Sequence, residues 1–458
     1  MYLIMAYRLL SKETTHMSTT QSTQALAKEP HRSLPTRGQA LFTFTVLLAI
    51  NILNYMDRQI LPAVLPHLQK DFHLTNTESG LLGSSFLIIY GLSTLPLGMW
   101  ADRGARKNIV GLCVGLWSLA TALSGITRNF GQLFATRAFL GIGEAGYAPA
   151  SLSMLGDSFP RELRGRILSL WSVSNLFGTA LGLVVGGIVA DTLGWRWAFY
   201  IVGIPGLIVA FLIWRSHEPR RGAFDSEGET SSDLQHGGLG KDFLGTLTHL
   251  LRIPTYWILM AAFIFSFFIV GAAQFWIPSY VSVIFHLSTG EAGVVSGGVL
   301  AGGALIGTLL GGWLADALQH RMPQGRMLIA TLAFLLGAPL TLLALSLPAL
   351  IPFIIVFVIA IVCLSMCLGP LNAIMQDIVR PEMRATAIGL ALLLAHLLGD
   401  AASPTVIGFI ADRSSLGFAL TLCAPISLLL AGLICLVGLR TVARDMQWVK
   451  EITVQSEE

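Results

Sequence analysis

Ionisable side chains are scarce within the long apolar stretches of this 458-residue sequence, and the few that occur there mark where chemistry could be done. They are Asp57 and Arg58 in one stretch, Arg137 and Glu144 in another, and His396 and Asp400 in a third. An ionisable group in apolar surroundings is costly unless it is paired or hydrated, so it is a functional candidate by default. Arg137 and Glu144 are seven residues apart, which puts them on one helix face about 10 Å apart along the axis. Gly141 between them leaves that face open to a partner or ligand. If the stretch holding Asp57 and Arg58 runs the opposite way, Arg58 reaches the depth of Arg137 and the four charges can meet as a net-neutral cluster beside a central cavity.

Such a cluster can couple protons to binding. A carboxylate whose arginine partner moves changes its proton affinity, which makes Asp57 and Glu144 the proton-coupling candidates. A guanidinium released in that exchange suits a phosphate or carboxylate, which makes Arg58 and Arg137 the anion-binding candidates. The other reading of each pair is a permanent bridge between two helices. His396 and Asp400, one turn apart, are a second titratable pair facing a substrate, or else they pack against span eight or cap a kink at Pro404.

The elements that position these residues follow from composition. With 54% hydrophobic and 12% charged residues, the chain is far less charged than soluble proteins. Apolar runs long enough to cross a bilayer recur at 41–65, 78–100, 109–126, 131–155, 165–190, 195–214, 255–283, 292–315, 327–347, 350–375, 385–410 and 416–439. The expected fold is therefore an all-α integral membrane protein with twelve spans, kinked at Pro96, Pro278, Pro370 and Pro404. All five cysteines (Cys113, Cys363, Cys367, Cys423, Cys435) fall within spans, so neither a disulfide framework nor a metal site is implied. No cofactor is implied either.

With a cytoplasmic N-terminus, the Lys and Arg residues divide as 23 inside, four outside (Lys70, Arg128, Arg196, Arg413) and two within spans, which puts both termini in the cytoplasm. Gly-x-x-Ala-Asp closes every third span, at Gly98–Asp102, Gly187–Asp191, Gly312–Asp316 and Gly408–Asp412. Units of three helices repeated in this way are inverted relative to their neighbours. Asp157-x4-Glu162-x-Arg164 returns 220 residues later as Asp377-x4-Glu382-x-Arg384, so the halves are duplicates of six helices. The expected organisation is a disordered cytoplasmic tail at 1–38, halves at 39–214 and 253–440, a cytoplasmic linker at 215–252 and a cytoplasmic tail at 441–458. Met17 is a candidate native start in place of Met1.

Gly98-Met-Trp-Ala-Asp102-Arg103-x-x-Arg106-Lys107 after span two resembles the loop signature of the major facilitator superfamily, with Ala105 where that signature has glycine. Asn54-Tyr-Met-Asp57-Arg58, Arg137-x6-Glu144-Ala-x-Tyr147, Gly271-x4-Trp276-x-Pro278-x-Tyr280 and His396-x2-Gly-Asp400-x2-Ser-Pro404 together resemble its Spinster-like branch. The resemblance implies a secondary transporter and adds Asn54, Tyr147 and Trp276 to the substrate-binding set. It also implies a lysolipid or sphingoid-phosphate class of substrate, by analogy with animal members. The row Gly178, Gly182, Gly186 and Gly187 resembles an antiporter motif but has Leu183 where that motif has proline; close helix packing is the other reading.

Phe263, Phe265, Phe267, Phe268, Phe275 and Trp276 give span seven an aromatic wall that would suit an amphiphile, and Phe268 and Trp276 are its substrate-binding candidates. Asp102, Arg103, Arg106, Lys107, Asp157 and Arg164 lie at cytoplasmic helix ends, where charge pairs can gate the gap between the halves.

No enzyme signature is present: His-Glu-x-x-His is absent, and Gly399-Asp400 lacks the rest of Gly-x-Gly-Asp. Gly240-Lys241 precedes Asp242 rather than the Ser or Thr of a phosphate loop, so transport would run on an ion gradient or downhill. Inverted repeats also argue against a channel or a transport-dead receptor. The expected partners are an anionic small-molecule or lipid-like substrate, protons and the bilayer, with no nucleic acid, and the chain is expected to act as a monomer in the cytoplasmic membrane. Proton symport of a small organic anion such as a sugar acid or aromatic acid is the alternative function.

Overall fold

A computed structural model describes residues 35–224, 248, 250–380 and 383–457. The expectations for residues 1–34, including the choice between Met1 and Met17, and for residues 225–247 of the linker lie outside the described residues. The elements are α1 Arg37–Phe72, α2 Asn76–Arg103, α3 Arg106–Ser124, α4 Phe130–Ala145, α5 Tyr147–Ser158, α6 Arg161–Thr192 and α7 Trp195–Trp214 in the first half. The second half has α8 Pro254–Ile284, α9 Thr289–Gln319, α10 Gly325–Ser346, α11 Leu350–Met366, α12 Leu368–Asp377, α13 Arg384–Ala395, α14 Ser403–Ala411 and α15 Leu416–Gly438. A last helix, α16, covers Val442–Glu457.

Among the described residues eleven helical segments are long and apolar enough to cross a membrane. The twelfth expected span is α4 with α5, whose 16 and 12 residues are each too short alone because the helix breaks at Gly146. Its counterpart breaks at Cys367, between α11 and α12. A proline lacks the N–H that would bond to the residue four back and crowds that carbonyl. Pro149 and Pro370 stand three residues after these two breaks, and Pro404 stands just beyond a π-turn at His396–Asp400, where the Ala401 N–H reaches back to the His396 carbonyl at 2.9 Å. Pro96 and Pro278, the other two expected kink sites, sit inside the continuous helices α2 and α8.

Within the tail expected at 441–458, Val442–Glu457 is helical, with Val442 and Met446 buried and Asp445 accepting the Thr255 N–H at 3.1 Å at the start of α8. The helix of span one starts at Arg37, four residues before the expected span, because Thr36 and Gln39 form a reciprocal cap. The glycine row of α6 is a packing device. A Cβ at Gly178 or Gly182 would lie 2.6 Å from the Ile52 or Met56 carbonyl of α1.

The halves meet at the end of the bundle away from the chain termini, and they do so symmetrically. The α2 and α9 N-termini carry matching capping boxes, Thr75 with Glu78 and Ser288 with Glu291. Each also receives an aspartate from the other half. Asp412, after α14, accepts the Asn76 and Thr77 N–H groups at 2.7 and 2.8 Å, and Asp191, at the end of α6, accepts the Gly290 N–H at 2.6 Å. These are the Gly-x-x-Ala-Asp copies at that end, and a carboxylate suits the positive end of a helix. Glycines admit the contact: Cβ atoms at Gly187 and Gly290 would lie 3.0 Å from Gly290 Cα and 3.2 Å from Ile188 Cα. Twenty-two residues along the same helices, and so about 40° from the same face, Gly165 and Gly312 meet nothing within 4 Å. The bundle is closed at the far end and open on these faces near the termini.

Burial works against the charge of Asp412, but hydrogen bonds from Thr77 and Asn76 outweigh it and hold this carboxyl below its usual range. A depressed value stabilises the closed end above the ordinary carboxylate pKa and loses that contribution as pH falls through it, below about pH 4. Exchange of the Asn76 and Thr77 amides, corrected for intrinsic rate, is expected to accelerate in Asp412→Asn at neutral pH and in the wild type only on such acidification.

Candidate transport site

The four charges singled out from the sequence come together as two pairs joining α1 and α4. Arg58 Nε lies 2.7 Å from Glu144 Oε2, and Arg137 Nη1 lies 3.8 Å from Asp57 Oδ1. Both carboxylates are fully buried, as is most of Arg137, whereas Arg58 is 19% exposed. Neither pair could form within one helix: residues 57 and 58 are adjacent and point about 100° apart, while 137 and 144 are two turns apart, so each arginine takes the other helix's acid.

α3 completes the cluster with side chains that the sequence reading missed. Thr121 Oγ1 donates to Asp57 Oδ2, and Ser124 Oγ accepts from Arg137 Nη2 at 3.0 Å. Arg58 is boxed by the rings of Tyr55, Phe86 and Tyr90 at 5.3, 5.3 and 4.8 Å, and Arg137 lies over Phe199 at 5.1 Å. Thr121→Val is expected to cost about 1–3 kcal/mol, because it strips a buried carboxylate oxygen of its donor, while Thr121→Ser retains most of the stability. Equilibrium unfolding in detergent checks both.

Of the two occupants expected at Gly141, a partner or a ligand, the structure has a partner helix. A Cβ there would lie 2.6 Å from the Phe86 carbonyl, because α2 packs backbone to backbone against α4 at this point. The open space adjoins the cluster instead: a cavity with about 100 Å³ of free volume between the halves. Arg58, Gln59 and Arg137 line it from the first half, and Gly271, Gln274, Phe275, Asp400 and Pro404 line it from the second. Gln59 Nε2 reaches Gln274 Oε1 across it at 3.4 Å.

Several residues expected at the substrate lie elsewhere. Trp276 is fully buried with its indole N–H donating to the Pro404 carbonyl at 3.1 Å, so it ties α8 to α14 rather than facing the cavity. Tyr147 is also buried, its hydroxyl shared between Asn51 Oδ1 at 2.8 Å and Asn54 Oδ1 at 3.0 Å. Asn51 in turn donates to Ser174 at 2.6 Å and to the Trp171 carbonyl, so Asn54 and Tyr147 belong to a polar seam fixing α1, α5 and α6 behind the charges. Asn51 was legible as a second amide one turn before Asn54. Phe268 is half-buried and packed against the hydrophobic core, outside the cavity lining. His396 lies behind Asp400, its Nδ1 2.8 Å from Asp400 Oδ2, and packs on Phe267 of α8 and Tyr90 of α2 rather than on span eight.

Of the loop charges expected to gate between the halves, Arg106, Lys107 and Asp157 meet partners in the first half and in the segment that follows it. Arg106 is buried between Asp157 and Glu218, with Glu218 Oε1 at 3.0 Å, Ser153 Oγ at 2.8 Å and the Pro219 carbonyl at 2.5 Å. Lys107 Nζ reaches the Ser216 carbonyl at 3.1 Å, and Arg164 Nε the Phe159 carbonyl at 3.3 Å. The first residues of the expected linker are thus ordered against the loop after α2. The side chains of Asp102 and Arg103 lie outside the described residues.

Residues 47–404 match the Major Facilitator Superfamily. The chain is 32% identical over 384 residues to Protein spinster of Drosophila melanogaster, an alignment that covers 81% of this chain and 62% of that longer protein. It is 30% identical over 417 residues to Protein spinster homolog 1 of Xenopus laevis, covering 84% and 78%. Its fold is similar to that of a bacterial homologue of the human lysosomal transporter Spinster in an inward-facing and unoccupied conformation, with a TM-score of 0.76, 24% identity and coverage of 91% and 98%. The duplicated twelve-span bundle, its paired buried charges and these likenesses give one conclusion: the chain is a multi-pass membrane transporter of the Major Facilitator Superfamily and belongs to its Spinster-like branch.

Proposed function

We propose that this protein is a proton-coupled secondary transporter that moves an amphiphilic organic anion of the lysolipid or sphingoid-phosphate type by alternating access. The observation that carries this reading is the pair of buried ion pairs between α1 and α4, placed where Arg58 and Arg137 line a cavity closed at the far end. A proton taken up by Glu144 frees Arg58, whose guanidinium then turns to the anionic headgroup. Asp57 with Arg137 is the second such exchange. Closure around the bound anion at the end near the termini, and opening of the contacts made by Asp191 and Asp412, complete the cycle. In this reading the membrane is the cytoplasmic membrane, both termini are cytoplasmic, and the open side faces inward.

The test is thermal stability of the purified protein with lysophospholipids, sphingoid phosphates, sugar acids and aromatic acids at two pH values, since a ligand that binds only the folded state raises its apparent stability. Stabilisation by the lipid-like anions alone is the expected result. Stabilisation by small hydrophilic acids alone would replace it with proton symport of such an acid, a reading favoured by the small free volume of the cavity, about 100 Å³.

A further inference from the structure

The two seams at the closed end share their capping aspartates but differ around them. Gly408-Phe409-Ile410-Ala411-Asp412-Arg413 and Gly187-Ile188-Val189-Ala190-Asp191-Thr192 are the same stretch of the repeat, at the ends of α14 and α6. On the α2–α14 seam the chain brings its own cation: the Arg413 guanidinium lies 3.5 Å over the Phe409 ring and donates to the Phe409 carbonyl at 3.1 Å. On the α6–α9 seam the smaller, uncharged Ile188 and Thr192 take those two places and line a groove with about 520 Å³ of free volume.

The carboxylates differ in the same sense. Both oxygens of Asp412 are taken, Oδ1 by the Asn76 N–H and Oδ2 by the N–H and the hydroxyl of Thr77. Asp191 uses Oδ2 on the Gly290 N–H, whereas Oδ1 has His67 Nε2 at 3.7 Å, beyond hydrogen-bond reach. Glu291 lines the same groove and accepts the Ser288 N–H with Oε2. Among the described residues, no lysine or arginine lines it.

The rest of the wall is apolar. Ile188 and Val294 are about half exposed, and Val295 and Leu350 continue the surface, which suits an acyl chain. α6 supplies one side and α9 with α11 the other, so an occupant touches both halves and favours the arrangement closed at this end. The headgroup is set by what the carboxylates lack. A primary ammonium supplies three N–H donors and a quaternary ammonium none, while a purely anionic headgroup would bring like charge to Asp191 and Glu291.

We propose that the α6–α9 groove holds a resident phospholipid with a primary ammonium headgroup, its ammonium at Asp191 and Glu291 and an acyl chain along Ile188, Val294, Val295 and Leu350. This site is separate from the cavity between the halves, so the failure of either assignment leaves the other standing. The purified full-length protein is titrated with phosphatidylethanolamine, phosphatidylcholine and phosphatidylglycerol of equal chain length, and retained lipid is counted by native mass spectrometry.

The wild type is expected to retain phosphatidylethanolamine at least about fivefold more than either other lipid, the scale of one charge-assisted hydrogen bond at a partly exposed site. Thr192→Arg, which gives α6 the cation that α14 carries in Arg413, is expected to bring phosphatidylethanolamine and phosphatidylcholine within about twofold. Glu291→Gln removes one charge while its amide still serves the helix cap, so it provides the test even where Thr192→Arg does not fold, and it should at least about halve the preference. Equal retention of phosphatidylethanolamine and phosphatidylcholine by the wild type would overturn the proposal and leave a groove covered by any lipid tail. A preference for phosphatidylglycerol, or an ethanolamine preference left unchanged by either variant, would overturn it as well.

Discussion

Arg58→Ala is expected to destabilise the protein by about 3–5 kcal/mol, the usual cost of stranding one member of a buried ion pair. Glu144 Oε2 is held by Arg58, so the substitution leaves a fully buried carboxylate without its contact counter-ion. Arg137→Ala is expected to cost less. Asp57 keeps the hydroxyl of Thr121, and the arginine it loses stands 3.8 Å away rather than at contact distance. The double variant Arg58→Ala/Glu144→Gln should recover most of the loss, because a neutral amide needs no counter-ion. Equilibrium unfolding of the three variants gives the ranking, and an Arg137→Ala that costs more than Arg58→Ala would contradict it.

The second large effect is on conformation. Gly80 of α2 lies against the backbone of α14, where a Cβ would stand 2.6 Å from the Pro404 carbonyl carbon and 2.8 Å from Thr405 Cα. Backbone cannot yield as a side-chain end can, and overpacking of this kind costs about 1–3 kcal/mol or more. About 3 kcal/mol charged to one state of a two-state equilibrium shifts it roughly a hundredfold. Gly80→Leu is therefore expected to separate the far ends of α2 and α14. Spin labels at the exposed positions Leu81 and Phe409, in a cysteine-free background, should report the change as a longer distance distribution. Gly165→Leu, which meets open space, should leave that distribution unchanged.

The duplicated architecture was legible because Gly-x-x-Ala-Asp recurs at every third span, and the structure gives those aspartates physical work at one end, where Asp191 and Asp412 cap helices of the opposite half. The buried charges were legible because their types are rare in apolar helices. Their partners on α3 were not, since a hydroxyl in a membrane helix often bonds to its own backbone one turn back and so carries no outward signal. Trp276 and Tyr147 were misplaced for a related reason: a helix apolar on every side has no polar stripe to show which face meets the cavity. The break at Gly146 was missed, although Pro149 marks it, whereas the break at Cys367 falls three residues before Pro370, one of the expected kink sites. Arg106 was read as a gate between halves because its partners, Asp157 and Glu218, stand 51 and 112 residues away in sequence.

The claim at the centre of the account is that Glu144 exchanges a proton for its hold on Arg58 during transport. Proton movement into proteoliposomes carrying an entrapped pH dye, driven by a gradient of the stabilising ligand, measures it directly for the wild type and for Glu144→Gln. The account predicts ligand-driven proton movement in the wild type and none in Glu144→Gln, with ligand binding by the variant retained and no longer dependent on pH. Undiminished proton movement in Glu144→Gln would contradict it and leave the Arg58–Glu144 pair as a fixed bridge between two helices.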